Sequence, residues 1–503
     1  MELHALRNAM LTRWKASLDA LCNASEAWGW LVLVVACANV TAFVVNYSNP
    51  VVSSDAWYFL DTFVRKALDG TLTIGDYFAR RVGLDHAQPL RKLILLGELN
   101  YFHLDFRTEA MLGVACALLC LLMIRKVMRW VDGPAVASPV LLWAAAITVV
   151  FSLNSSGVWT WPLVCSAYTT YVLLFAFCMT LWRGLANGTL GWLILSALIL
   201  DLAADDTAML ATAAAWLALG VVALRSPQVR PHAWKCALVL LLCLVVGRIA
   251  LAMLYHVPDY ASMPLGARVA KLASAFVDGG WWQWWAIPLA SSVAYILPLQ
   301  SMVGDGALAV QLVIGALLAL AHLWFWWRAL RKSPINAPMF VGVLLMLFFY
   351  ALLAGIIYGR IPTYGNGYLN QSRYVMFYGF NLIALLLMCA GDMRTVQAST
   401  RAKGFLVASA CIALVALQLP YSAKAWRSAP YGSLYHQKMA RQIWYMADHG
   451  TLPPEKCLPL LTVCGYSEQT RKDLIHMLQV HRLNVFSPEF QRANRMMRKP
   501  PPY

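Results

Sequence analysis

The chain has 503 residues, of which 60% are hydrophobic and only 13% charged, and its mean hydropathy is +0.59. A soluble chain of this length carries about 25% charged residues, so composition alone excludes a soluble globular protein. The net charge of +16 does not point to nucleic acid, because Lys and Arg concentrate in the short connections between apolar runs, where they mark topology and contact anionic lipid.

A polar lead containing Arg7, Arg13 and Lys15 comes first. It is too long for a cleavable signal, and the run behind it is a full span. From Trp28 to Leu419 the apolar runs repeat, each approaching the ~20 residues that cross a bilayer. They number about eleven, at 28–46, 109–124, 138–153, 163–182, 190–204, 207–224, 234–254, 305–327, 337–357, 374–390 and 404–420. A backbone in lipid must satisfy its own hydrogen bonds, so the expected fold is an all-α polytopic bundle.

With the N-terminus cytoplasmic, alternate connections should be rich in Lys and Arg. They are: Arg125, Lys126 and Arg129; Arg183; Arg225, Arg230 and Lys235; Arg328, Arg331 and Lys332; Arg394, Arg401 and Lys403. This pattern predicts a membrane protein with its N-terminus inside and its C-terminus outside. The expected division is a membrane domain over 1–420, with a first outward loop at 47–108, and an outward tail over 421–503.

Three outward segments are long enough to build a site. The first, 47–108, has apolar residues at helical spacing without the length or purity to span, and reads as short amphipathic helices lying along the membrane. The second, 255–304, carries "DGGWWQWWAIP", four tryptophans that suit an interfacial belt. In the tail, Cys457 and Cys464 are two thiols on the oxidising side, and a local disulfide suits them better than a metal site lacking further ligands. The other cysteines lie mostly within spans and read as small core hydrophobes.

No nucleotide-binding glycine loop, zinc-hydrolase or serine-hydrolase signature is present, so chemistry is sought among outward ionisable residues. Asp55 follows the first span by about nine residues and precedes an aromatic-rich helix, as a base near the headgroups or as a plain N-cap. Asp61 lies further along the same helix. Asp85, His86 and Arg91 form the densest polar cluster of the loop, suited to proton transfer or phosphate binding; His103 and Asp105 repeat the pattern near the second span. Arg360 and Arg373, with Tyr374, flank the turn between spans nine and ten on the face that the charge bias disfavours, and a guanidinium matches a phosphate bidentately. Arg248 lies inside span seven and needs a partner or a wet cavity. Asp201, Asp205 and Asp206 supply nearby acids for an ion pair or a substrate contact. They could attract a divalent cation, but no coordination pattern accompanies them, so no metal or other cofactor is assigned.

In layout the chain resembles the GT-C membrane glycosyltransferases, which use polyprenyl-phosphate-linked sugars and carry a long first outward loop with an acid shortly after the first span. Asp55 is the residue that matches that acidic position. Many members pair two adjacent acids there, whereas Asp55 stands between Ser54 and Ala56. The chain is also similar to a group of uncharacterised bacterial membrane proteins with a His-Arg-Pro-like motif in the first loop, here "DHAQPLRKLILLGEL". The same group has a "GR…SRY" motif, here Gly359-Arg360 and Ser372-Arg373-Tyr374, and a short "RLNVF", here Arg482 to Phe486. The resemblance implies an inverting sugar transfer to a glycan or lipid-linked acceptor of the cell envelope. Asp55 would be the base, and Arg360 and Arg373, with Arg248 or His86 as further candidates, would neutralise the lipid phosphate. Competing readings are a polysaccharide polymerase or ligase, and a lipid or solute transporter.

Overall fold

The computed structural model describes residues 26–80, 87–130, 139–204, 206–254, 263–331, 335–395, 401–450 and 452–493, and within these every regular element is helical. Among the described residues nine helices are long and apolar enough to cross a membrane, and the chain is a membrane-embedded helix bundle. In chain order these and the main intervening helices are α1 (Glu26–Tyr47), α2 (Ala56–Phe59), α3 (Pro89–Phe102), α4 (Arg107–Arg129), α5 (Val140–Val150), α6 (Pro162–Asn187), α7 (Gly191–Ala204) and α8 (Thr207–Arg225). There follow α9 (Arg230–Leu254), α10 (Leu265–Ala275), α11 (Gln283–Ser291), α12 (Ile296–Leu330), α13 (Ala337–Tyr364), α14 (Ser372–Asp392), α15 (Gly404–His449) and α16 (Glu468–Val480).

Two of the eleven expected spans, α5 and α7, are apolar but short. At 1.5 Å per residue a helix of α5's length covers only about half of a ~30 Å hydrocarbon layer. The cause at α5 is a buried turn. Asn154 donates to the carbonyl of Ser291 at 3.0 Å and accepts from the backbone N–H of Tyr295 at 2.7 Å, while the Trp159 indole donates to the carbonyl of Ser152 at 2.7 Å. Polar groups on distant segments thus satisfy a backbone that leaves the helix inside the protein.

The main core is the bundle itself. The α13–α14 pair is its centre, with α8 on α13 and α5 on α14; α4 packs on α6, and α11 lies against α12. Mid-span polar groups on the inner faces are networked: His322 Nδ1 meets the Tyr350 hydroxyl at 2.9 Å, and the Trp326 indole donates to the same oxygen.

A second apolar core lies apart from the first, and it joins the two ends of the chain. Val51, Val52, Trp57, Leu60, Phe63, Leu95 and Leu104 from the first loop pack with Met439, Ile443, Leu474, Leu478, Val485 and Phe490. The helix that carries α15 runs unbroken from Arg401 to His449, past the expected span end at 420, so its distal half enters this core. The segment after 420 therefore shares a core with the first loop. Cys457 and Cys464 are joined as a disulfide at its edge.

Asn484, in the "RLNVF" segment, stitches this core together. Its side chain accepts from the Val52 N–H at 3.0 Å and donates to the carbonyls of Pro50 and Leu104 at 2.8 and 2.6 Å, while its own N–H donates to the His103 carbonyl at 2.7 Å. The bridge needs φ of +51° at Asn484, a left-handed conformation that asparagine tolerates better than most residues. Lys92 is buried beneath the short helix Ile74–Phe78, and its ammonium donates to the carbonyls of Asp76, Tyr77 and Ala79, which that helix end leaves unpaired.

Candidate functional site

Two clusters of polar side chains lie at the loop-bearing end of the bundle. The first is built on α3 and the start of α4. Arg91 and Glu98 are seven residues apart on α3, hence on one face, and Glu109 meets them from α4. Arg91 pairs with Glu109 at 2.8 Å, both side chains more than nine-tenths buried, and its guanidinium lies 5.3 Å from the centroid of the Phe59 ring. Thr108 donates to Glu98. Burial pulls the Arg91 guanidinium below its ordinary value, and the charges of Glu109, Asp55 and Glu98 oppose that fall. Burial also pushes the Glu98 carboxyl up to about 8, against the Thr108 bond and with help from Glu109 and Asp105, so Glu98 holds its proton at neutral pH.

Asp55 precedes α2 as its N-cap residue, and its carboxylate makes no capping bond to that helix. The half-buried carboxylate lies within electrostatic reach of Arg91. Ser54 before it takes φ of +51°, its N–H donates to the Leu460 carbonyl and its carbonyl accepts from Thr462, so the turn that aims Asp55 is held by the C-terminal segment.

The second cluster surrounds Arg373. Its guanidinium donates to the Tyr368 hydroxyl and sits 5.7, 5.5 and 5.3 Å from the ring centroids of Trp161, Tyr368 and Tyr374. Among the described residues it has no carboxylate partner. Tyr374 is buried, stacks on Phe377, and lies within electrostatic reach of both Arg373 and Arg360. The Ser155 hydroxyl donates to the Ser372 carbonyl at 2.9 Å, fixing the start of α14 against the turn before α6. The two clusters are tied by the Asn49 N–H, which donates at 2.9 Å to the carbonyl of Thr160, next to Trp161. A cavity of about 50 Å³ lies under Ser155, lined by Ser152, Tyr168, Tyr171 and Ser292. It has room for a few waters and none for a sugar.

The other expected site residues divide into local pairs and undescribed positions. Arg91 is paired with the buried Glu109. Asp61 pairs with Arg65 one turn on, at 2.8 Å. Asp105 accepts from the backbone and side chain of Arg107, and His103 caps α3 and faces Glu489 at 3.6 Å across solvent. Arg248 on α9 lies within electrostatic reach of the buried Asp201 on α7, and Gly247 lets the two helices approach there: a Cβ on it would stand 3.0 Å from Asp201 Cβ. Asp85, His86 and Asp205 lie outside the described residues, as does the side chain of Asp206. Among the described residues no three His, Cys, Asp or Glu side chains are grouped to hold a metal.

Sequence reasoning missed Glu98, Glu109 and Arg268. The first two had a signal: Arg91 and Glu98 share a helix face in an otherwise apolar stretch. Arg268 had none, because nothing local distinguishes it from a surface arginine. The chain matches no protein-family model, no curated protein and no solved structure.

Proposed function

We propose that this chain is a GT-C-type membrane glycosyltransferase of a bacterial inner membrane, moving a sugar from a polyprenyl phosphate to a glycan or lipid-linked acceptor on the periplasmic face. The observation that carries the reading is Arg373, whose guanidinium is framed by three aromatic rings and, among the described residues, by no carboxylate. A cation so placed on the side that charge bias disfavours is suited to an anionic ligand, and the aromatic walls suit a sugar ring or prenyl chain beside it.

In this reading Asp55 takes the proton of the acceptor hydroxyl, whose oxygen attacks the anomeric carbon with inversion as the lipid phosphate leaves. Arg373 and Arg360 neutralise the charge that grows on that phosphate. Arg91 sets the field at Asp55 and is itself held by Glu109, so the first cluster positions the base. A lipid-borne donor needs no nucleotide-binding loop, in keeping with the motifs the sequence lacks.

Purified protein in nanodiscs is incubated with a panel of polyprenyl-phosphate sugars, and donor consumption is compared for wild type and Asp55→Asn. Consumption by the wild type that disappears in a folded Asp55→Asn variant supports the reading. Undiminished turnover in the variant removes Asp55 from the mechanism, and no consumption of any donor by folded wild type overturns the transferase assignment.

A further inference from the structure

We infer that Arg268 is a third binding residue for the phosphate of a lipid-linked substrate, at a mouth between α10 and α13 that opens sideways to the bilayer. The inference rests on the transferase reading for the identity of the substrate, and on the geometry of α10 for the binding itself.

Arg268, Leu272 and Ala275 recur at intervals of four and three, the face of α10 turned toward the protein, and Arg268 is only 7% exposed. Leu265 and Val269, three residues before and one after Arg268 at the edge of the same face, are exposed, and the exposed apolar surface continues with Phe276 and Val277 in the distorted turn that follows. That exposed apolar edge beside a buried arginine suits contact with acyl chains.

Inside, the Arg268 guanidinium sits 4.8 Å from the centroid of the Tyr358 ring. Among the described residues it makes no hydrogen bond and no ion pair. Asp278, in the distorted turn after α10, accepts from Ser274 four residues before it and is exposed. Burying a guanidinium against protein without a counter-charge is costly, and an anionic ligand supplies what the protein does not.

The strap also brings Arg268 to the arginines already described. Tyr358 is two residues before Arg360 on α13. Asn366, in the turn between α13 and α14, donates to the Ala275 carbonyl at 3.3 Å and accepts from the Trp284 indole at 2.8 Å. Gly280 lies so close that a Cβ on it would stand 1.8 Å from Asn366 Nδ2, a contact only glycine permits. Asn366 thus locks both sides of the distorted turn to the segment that presents Arg373, placing Arg268 at the lipid side of the same helix end. A phosphate approaching through the bilayer meets Arg268 first, with its prenyl chain along the apolar residues outside.

The test measures binding without turnover. Wild type, Arg268→Ala, Arg268→Gln and Tyr358→Leu, each in neutral-lipid nanodiscs with its melting temperature recorded, are titrated with radiolabelled farnesyl phosphate. Farnesol, inorganic phosphate and phosphatidylglycerol serve as competitors. Relative to wild type, Arg268→Ala and Arg268→Gln should bind about tenfold or more weakly, and Tyr358→Leu roughly two- to fivefold more weakly. Competition by phosphatidylglycerol would broaden the ligand to any lipid phosphate, competition by inorganic phosphate alone would make the site a free-anion site and overturn the inference, and farnesol should not compete. Unchanged affinity in both folded Arg268 variants overturns the inference while leaving the transferase reading standing. Loss of binding in those variants with no sugar transfer by wild type supports the site and overturns that reading. No binding of farnesyl phosphate by wild type overturns the inference.

Discussion

Replacing Asn484 by Ala should open the second core. The substitution removes one accepted and two donated hydrogen bonds, to Val52, Pro50 and Leu104. At about 1 kcal/mol net for each, the loss is about 3 kcal/mol. Alanine at φ of +51° adds about 1 kcal/mol of backbone strain. A total of about 4 kcal/mol raises the population of the locally opened state by roughly a thousandfold, since each 1.4 kcal/mol is a factor of ten. Limited proteolysis of detergent-solubilised protein, with cleavage between residues 435 and 493 followed by mass spectrometry, reads that population directly when reclosing is faster than cutting. The expected result is a rate increase of two to three orders of magnitude confined to this core. A rate within threefold of wild type would refute the reasoning, because it would mean that the three bonds hold nothing that apolar packing does not hold alone.

Glu109→Gln leaves Arg91 buried without its counter-charge and should cost about 3 to 5 kcal/mol, whereas Arg91→Met with Glu109→Leu should recover most of that loss; equal thermal melting of wild type and the single variant would show that the pair is not structural. Glu98 gives a pH dependence of definite sign. Its folded value of about 8 lies above the ordinary 4.5, so the folded chain keeps a proton that the unfolded chain has lost, and stability is full below about pH 4.5 and declines up to about pH 8. Thermal unfolding of wild type should therefore fall relative to Glu98→Gln as pH rises from 5 to 8, and parallel curves would contradict the assignment. Reducing the Cys457–Cys464 disulfide, which spans a sequence separation of 7, should destabilise the second core by about 2.5 kcal/mol by the chain-entropy argument. The same proteolysis assay with and without reductant measures it, and no change in cleavage would show that the clip is idle.

Hydropathy made the spans legible because lipid enforces a simple rule on backbone and side chains alike. It did not convey how short α5 is, since a window average cannot see that Asn154 will find partners on a segment more than a hundred residues away. The charge pattern likewise singled out Arg360 and Arg373 by their position against the bias. What it could not convey was pairing: Arg91 and Arg373 look equally available in the sequence, yet one is consumed by Glu109 and the other faces only aromatic rings and a phenol. Arg268 was hidden for the converse reason. Its significance lies in its burial beside an exposed apolar edge, and that burial is decided by α13, which contributes Tyr358.

The second core also sets an order of events. Val52 and the Asn484 that holds it are 432 residues apart. At synthesis rates of about 5–20 residues per second, the first loop waits some 20 to 90 seconds for its partner to be made. Throughout that interval Trp57, Leu60 and Phe63 have no core to enter, and the bilayer surface or a holding chaperone must shelter them. Each of the nine apolar helices among the described residues precedes Asn484 in the chain, so this core closes only after they have been made, and the turn that aims Asp55 is fastened after them.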